Sequence, residues 1–125
     1  MSLEKINLAD KFARFDFVKE NATQQRIVGE VNDCYVKLSK FKGEFIWHQH
    51  ENEDELFLIV KGKLTLRLRD KDIELKEGEF FIVPRGVEHL PLAEEEVHIL
   101  LVEPKSTLNT GNIVGDRTVP VVERI

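Results

Sequence analysis

From Arg26 to Glu103 the chain is cut into apolar runs of four to seven residues, and no interval between them can hold a helical crossover. Parallel strands need a connection of about a dozen residues or more, so a parallel α/β sheet is excluded. The runs are Arg26–Val31, Tyr35–Phe41, Glu44–His50, Glu55–Lys61, Lys63–Arg69, Asp72–Leu75, Phe80–Val83, Glu88–Leu92 and Val97–Glu103. Turn formers separate them, among them Asn32-Asp33, Lys42-Gly43, Lys61-Gly62, Glu77-Gly78 and Pro84-Arg85-Gly86. Short strands with turns at this spacing define an all-β sandwich or barrel. The clearest half-buried strand has Leu64, Leu66 and Leu68 alternating with Thr65, Arg67 and Arg69.

Residues 1–25 read as an N-terminal arm, 26–103 as the barrel and 104–125 as a tail packing on the barrel or a partner. Within the arm, Leu8, Phe12 and Phe15 have helical spacing, and Phe12, Phe15 and Phe17 are candidate anchors. One domain accounts for 125 residues. A net charge of −5 with no basic cluster argues against a nucleic-acid partner. No apolar run approaches the roughly 20 residues of a membrane span. One cysteine, Cys34, permits neither an internal disulfide nor a thiolate cluster, and a small apolar packing role is expected of it. Cytoplasmic location is the expectation.

The chemistry concentrates in two stretches. In an extended segment His48 and His50 point to one face, and Glu55 opens the next strand after an acidic turn, on the face of Phe57 and Ile59. Glu53 and Asp54 compete with Glu55 for the role of carboxylate. Farther on, Gly78 feeds a strand, Pro84-Arg85-Gly86 reverses it, and His89 leads the return. Two imidazoles on one face beside a carboxylate are suited to a metal ion.

These residues resemble the two motifs of the cupin superfamily. Gly43, His48, His50, Glu55 and Gly62 match the first, and Gly78, Pro84, Gly86 and His89 the second. Two departures stand out: four residues rather than five separate Gly43 from His48, and Ala93 stands where the family often carries Asn. The resemblance implies a double-stranded β-helix (jelly-roll) barrel of the small single-domain type, sometimes labelled mannose-6-phosphate isomerase-like. It also implies a divalent metal held by His48, His50, Glu55 and His89. Three imidazoles and one carboxylate suit Fe, Mn, Ni, Co or Zn, and ligand identity alone does not choose among them.

Side-chain parity makes Phe57, Ile59, Leu64, Leu66 and Phe41 the pocket wall. Glu44 shares the parity of His48 and could reach the pocket mouth, although a solvated strand end is the simpler expectation. His98 is expected to be a packed or surface residue, and Glu94-Glu95-Glu96 a solvated turn. Phe45, Trp47, Leu56, Leu58 and Val60 are expected on the outer face, where an apolar patch implies a homodimer. The functional expectation is a metal-dependent cupin acting on a small organic molecule by dioxygenation or isomerisation. The alternatives are a non-catalytic small-ligand or metal-binding module and a sugar-phosphate isomerase-like enzyme; no basic cluster supports the last.

Overall fold

A computed structural model describes residues 3–125. Met1 and Ser2, which open the expected N-terminal arm, lie outside the described residues. One short helix, α1 (Leu8–Phe12), precedes seven strands. These are β1 (Gln24–Val31), β2 (Cys34–Glu44), β3 (Glu55–Lys61), β4 (Lys63–Leu68), β5 (Asp72–Lys76), β6 (Phe80–Val83) and β7 (His89–Pro104). The strand pairings are all antiparallel.

β7 is the spine. Along Val97–Pro104 it pairs with β2 on one side, and along His98–Val102 with β3 on the other. Its first residues, His89–Leu92, pair instead with β4, while Leu92 and Ala93 meet Glu44 and Gly43 of β2. One strand thereby joins both walls, as a jelly-roll requires. The expected break at Glu94-Glu95-Glu96 does not occur: all three are exposed, but they lie within continuous strand.

Between the walls pack Phe41, Phe45, Phe57, Ile59, Leu64, Leu66, Val97, Ile99 and Leu101, with Leu64 and Leu66 completely buried. Burying each such side chain stabilises the fold by about 1.5–3 kcal/mol before conformational entropy is counted. A second cluster lies on the opposite side of the sheet, where Phe12 and Phe15 cover Val28 and Leu38. Asn7 caps α1 by accepting from the Asp10 amide at 3.0 Å. Phe17 is half-buried.

Two expectations about side-chain direction fail for one reason. β2 does not end at Lys42-Gly43 but runs through it with a register shift between Phe41 and Gly43. Gly43 has φ +100°, and a Cβ there would stand 2.2 Å from Asn21 Oδ1. Residues 45–47 are then irregular rather than strand. Four residues from Glu44, opposite Leu92, to His48, opposite His89, pass only three on the partner, which resets parity relative to His48. Phe45 consequently points into the core, and Glu44 is exposed. Trp47 does face outward, with the Arg69 guanidinium 3.8 Å from its ring centroid.

The tail is ordered by its own polar side chains. Asn109 Nδ2 donates to Thr23 Oγ1 at 3.0 Å and to the Arg117 carbonyl at 2.7 Å, while Thr110 and Thr118 share a 2.6 Å hydroxyl bond. The chain then returns to β1, where Ile27 exchanges backbone hydrogen bonds with Glu123 and Ile125.

Candidate metal centre

A backbone bridge positions the first two imidazoles. The His48 amide donates to the His89 carbonyl at 3.1 Å, and the His89 amide donates back at 2.9 Å. Their ring centroids are 4.3 Å apart. The bend at Pro84–Gly86 adds a third tie, the Gly86 amide donating to the His50 carbonyl at 2.8 Å. His50 thus sits beside the other two rings, with centroids 5.1 Å from His48 and 5.6 Å from His89. Glu55 opens β3 and points inward, in register with Val83. All four residues are buried, and one donor atom from each lies within 4.8 Å of the others.

The ring orientations are fixed from behind. His48 Nδ1 lies 2.8 Å from the Ile46 carbonyl, and His89 Nδ1 lies 2.9 Å from that of Val87. A carbonyl only accepts, so each Nδ1 carries the hydrogen and each Nε2 presents a lone pair. Phe45 and Phe57 close the sides, meeting His48 and His89 edge-on. Glu55 Oε1 stands 3.1 Å from His50 Nε2 and 3.3 Å from His89 Nε2. Neither contact is aligned as a hydrogen bond. Among the described residues no partner satisfies His50 Nδ1 or Nε2, His89 Nε2 or Glu55 Oε1. Buried polar atoms seldom go unpaired, and three of these, His50 Nε2, His89 Nε2 and Glu55 Oε1, converge on one place in a way that fits a divalent cation. The set can hold a metal ion.

The electrostatics agree with that fit. Burial, followed by the neighbouring His89, pushes the His48 imidazole down to about 4, so it is neutral and able to donate at physiological pH. Burial alone would raise the Glu55 carboxyl. The contacts with His50 and His89 more than offset this and hold it well below the usual carboxylate range. The competing acids are engaged elsewhere. Asp54 accepts from the Arg85 amide at 2.8 Å, and Glu53 accepts from Ser106 Oγ at 2.8 Å.

A cavity of ≈ 30 Å³ adjoins His48 and Glu55, with room for one or two waters. Phe41 and Phe57 line it as expected from parity; Ile59 does not, lying deeper in the core. Glu44 does not line it and is exposed, because the slip at residues 45–47 turns it away from the face of His48. Gln25, Ser39 and Asn109 supply polar edges, and none of its lining residues is Lys or Arg. His98 lies elsewhere, stacked on Phe12 with centroids 4.7 Å apart and 2.6 Å from Glu96 Oε2. Cys34 is half-buried at the start of β2.

Sequence reasoning missed a buried pair behind Glu55. Lys37 Nζ lies 3.0 Å from Glu103 Oε1, with both side chains almost completely buried. Burial first, and then the charge of Glu55, raises the Glu103 carboxyl well above its ordinary range. The signal was available: Lys37 shares the parity of Ser39 and Phe41, and Glu103 that of Ile99 and Leu101.

The barrel and the buried three-histidine, one-carboxylate set define a small cupin. The family model described as "Cupin domain" matches residues 36–103, more than half of the chain, and the chain belongs to that family. Among solved structures it is similar to a cupin-2 domain containing protein from Shewanella frigidimarina. The two are 42% identical with TM-score 0.73, covering 80% of this chain and 94% of that one. Among curated proteins it is 40% identical over 63 residues to Bacillus subtilis YdbB, covering 50% of this chain and 56% of YdbB. It is 34% identical over 80 residues to 3-hydroxyanthranilate 3,4-dioxygenase 2 of Aspergillus fumigatus, covering 59% of this chain and 42% of the dioxygenase. The chain thus spans about half the length of the curated relatives it matches. Among the described residues no helix is long and apolar enough to cross a membrane.

Proposed function

We propose that the protein binds one divalent metal ion through His48, His50, Glu55 and His89 and offers its open coordination positions to a small organic molecule. The convergence of four buried donor atoms within 4.8 Å carries this reading. Fe, Mn, Ni, Co and Zn all suit the donor set. Bound there, the metal would supply Lewis-acid or oxygen-handling chemistry. The chain's own part is to aim three lone pairs and one carboxylate, exclude bulk water with Phe45 and Phe57, and present Gln25, Ser39 and Asn109 to the ligand's polar edge.

Dioxygenation of a small ring or acid is the favoured reaction class, supported by the likeness to 3-hydroxyanthranilate dioxygenases. A sugar-phosphate isomerase-like activity is disfavoured, since no cation lines the cavity to meet a phosphate. The small cavity favours a second reading, a binding module without turnover. Oxygen uptake by the iron-loaded protein over a panel of ortho-substituted phenols and thiols separates the two. Uptake supports the enzyme, and firm metal binding without uptake across the panel supports the module.

The protein is proposed to work in the cytoplasm as a homodimer. Leu56 and Leu58 align in register with exposed Ile82 and Phe80 on one side and with Val102 and Leu100 on the other. This apolar row replaces the face first expected to include Phe45.

A further inference from the structure

The segment that carries two of the donor residues has little strand structure of its own. Residues 45–47 are irregular, and between 48 and 54 only His48 forms a β-bridge, to His89. On the barrel side, main-chain bonds between His48 and His89 and from Gly86 to His50 hold it. In extended chain, alternate residues turn their amide and carbonyl to opposite edges, so those of Gln49, between the two histidines, point away from His89. The tail meets them there. The Asn112 amide donates to the Gln49 carbonyl at 3.0 Å, and the Gln49 amide donates to Asn112 Oδ1 at 2.9 Å.

One tail residue thereby replaces an adjacent strand, its main chain supplying the donor and its side chain the acceptor. Gly111 lets the tail come this close, since a Cβ there would stand 2.1 Å from the Gln49 carbonyl oxygen. At the other end of the irregular stretch, Arg117 Nη1 donates to the Phe45 carbonyl at 3.1 Å, and the Arg117 carbonyl accepts in turn from Asn109 Nδ2 at 2.7 Å. His50 depends most on such bracing. The rings of His48 and His89 are oriented by backbone carbonyls, whereas neither ring nitrogen of His50 has a hydrogen-bond partner among the described residues. We infer that Asn112 is a positioning residue for the metal centre: by clamping the main chain of Gln49 from outside, its Oδ1 sets the spacing and aim of the His48 and His50 imidazoles. This inference rests on the reading of His48, His50, Glu55 and His89 as metal ligands.

The test uses Co²⁺ as probe, with affinity measured by chelator competition and geometry by the visible absorption of the bound ion. Asn112 is exposed, so its replacement leaves the barrel core untouched. Asn112→Ala removes Oδ1 and keeps the main-chain half of the clamp. It should bind Co²⁺ about 3–10-fold more weakly, the scale of one modest hydrogen bond, with an altered spectrum. Asn112→Asp keeps Oδ1 as an acceptor and should retain at least wild-type affinity, with the wild-type spectrum. A purely structural role for Asn112 would lower the urea midpoint of Asn112→Ala in chelator and leave Co²⁺ binding as it was. Wild-type affinity or a wild-type spectrum in Asn112→Ala therefore overturns the inference, as does an Asn112→Asp variant that binds no better than Asn112→Ala. Wild-type protein that takes up no Co²⁺ overturns the metal reading and this inference together.

Discussion

His48 and His89 exchange a pair of backbone hydrogen bonds, 3.1 and 2.9 Å long, although they belong to opposite ends of the motif region. The barrel thus fixes two imidazoles by their main chain, before any metal is bound. Such preorganisation has a cost: His50 Nε2, His89 Nε2 and Glu55 Oε1 are buried without a hydrogen-bond partner among the described residues.

His50 bears that cost most directly, since neither of its ring nitrogens has a hydrogen-bond partner among the described residues. In metal-free protein, His50→Leu should raise the unfolding free energy by about 1–3 kcal/mol, the penalty of unsatisfied buried groups. With saturating metal the order should reverse, because only the wild type gains the binding energy. Urea melts with and without chelator check both halves.

Protonation of the metal-free site should follow His48. The folded imidazole binds its proton near pH 4 and the unfolded one near 6.5. Between those values the unfolded state carries more protons, so stability rises with pH across the window and is fully reduced below it, by about 3 kcal/mol. Glu103 acts in the opposite sense: its raised folded value gives stability at low pH that is lost as pH climbs above its ordinary 4.5. Comparison with His48→Gln isolates the histidine. The stability difference, wild type minus variant, should grow from pH 4 to 6.5 and be flat above.

Gly111 presses the tail against the histidine segment. It has φ +56°, and a Cβ there would stand 2.1 Å from the Gln49 carbonyl oxygen and 3.2 Å from His48 Cδ2. Gly111→Ala should cost about 1–3 kcal/mol and displace the tail. Gly115→Ala, where nothing lies within 4 Å, should be close to neutral. Thermal unfolding of the two variants provides the comparison.

The apolar row across β6, β3 and β7 ends in Phe80 and Ile82, 59% and 47% exposed. As a dimer face it should be disrupted by Phe80→Glu with Ile82→Lys. Sedimentation at micromolar concentration should give a dimer for the wild type and a monomer for the variant. A monodisperse wild-type monomer contradicts the dimer.

What the sequence made legible follows the physics of each segment. His48, His50, Glu55 and His89 could be read because spacing and glycine-bearing turns fix their placement. Leu64 and Leu66 could be read because alternation was unbroken. Parity failed at Phe45 and Glu44, since the irregular residues 45–47 consume one residue between Glu44 and His48 without leaving a compositional mark. Lys37 and Glu103 share the parity of Ser39 and Phe41 and of Ile99 and Leu101, but which face of each strand is inward depends on the wall it joins. The tail offered no period at all, because Asn109, Thr110 and Asn112 are ordered by individual side-chain bonds.

Metal content tests the central claim most directly. Tag-free protein, purified without added metal or chelator and analysed by mass spectrometry of its elements, should carry close to one divalent transition metal per chain. His50→Ala with His89→Ala should abolish it while the barrel stays folded. Wild-type protein without stoichiometric metal, together with a double variant that behaves identically, would contradict the account.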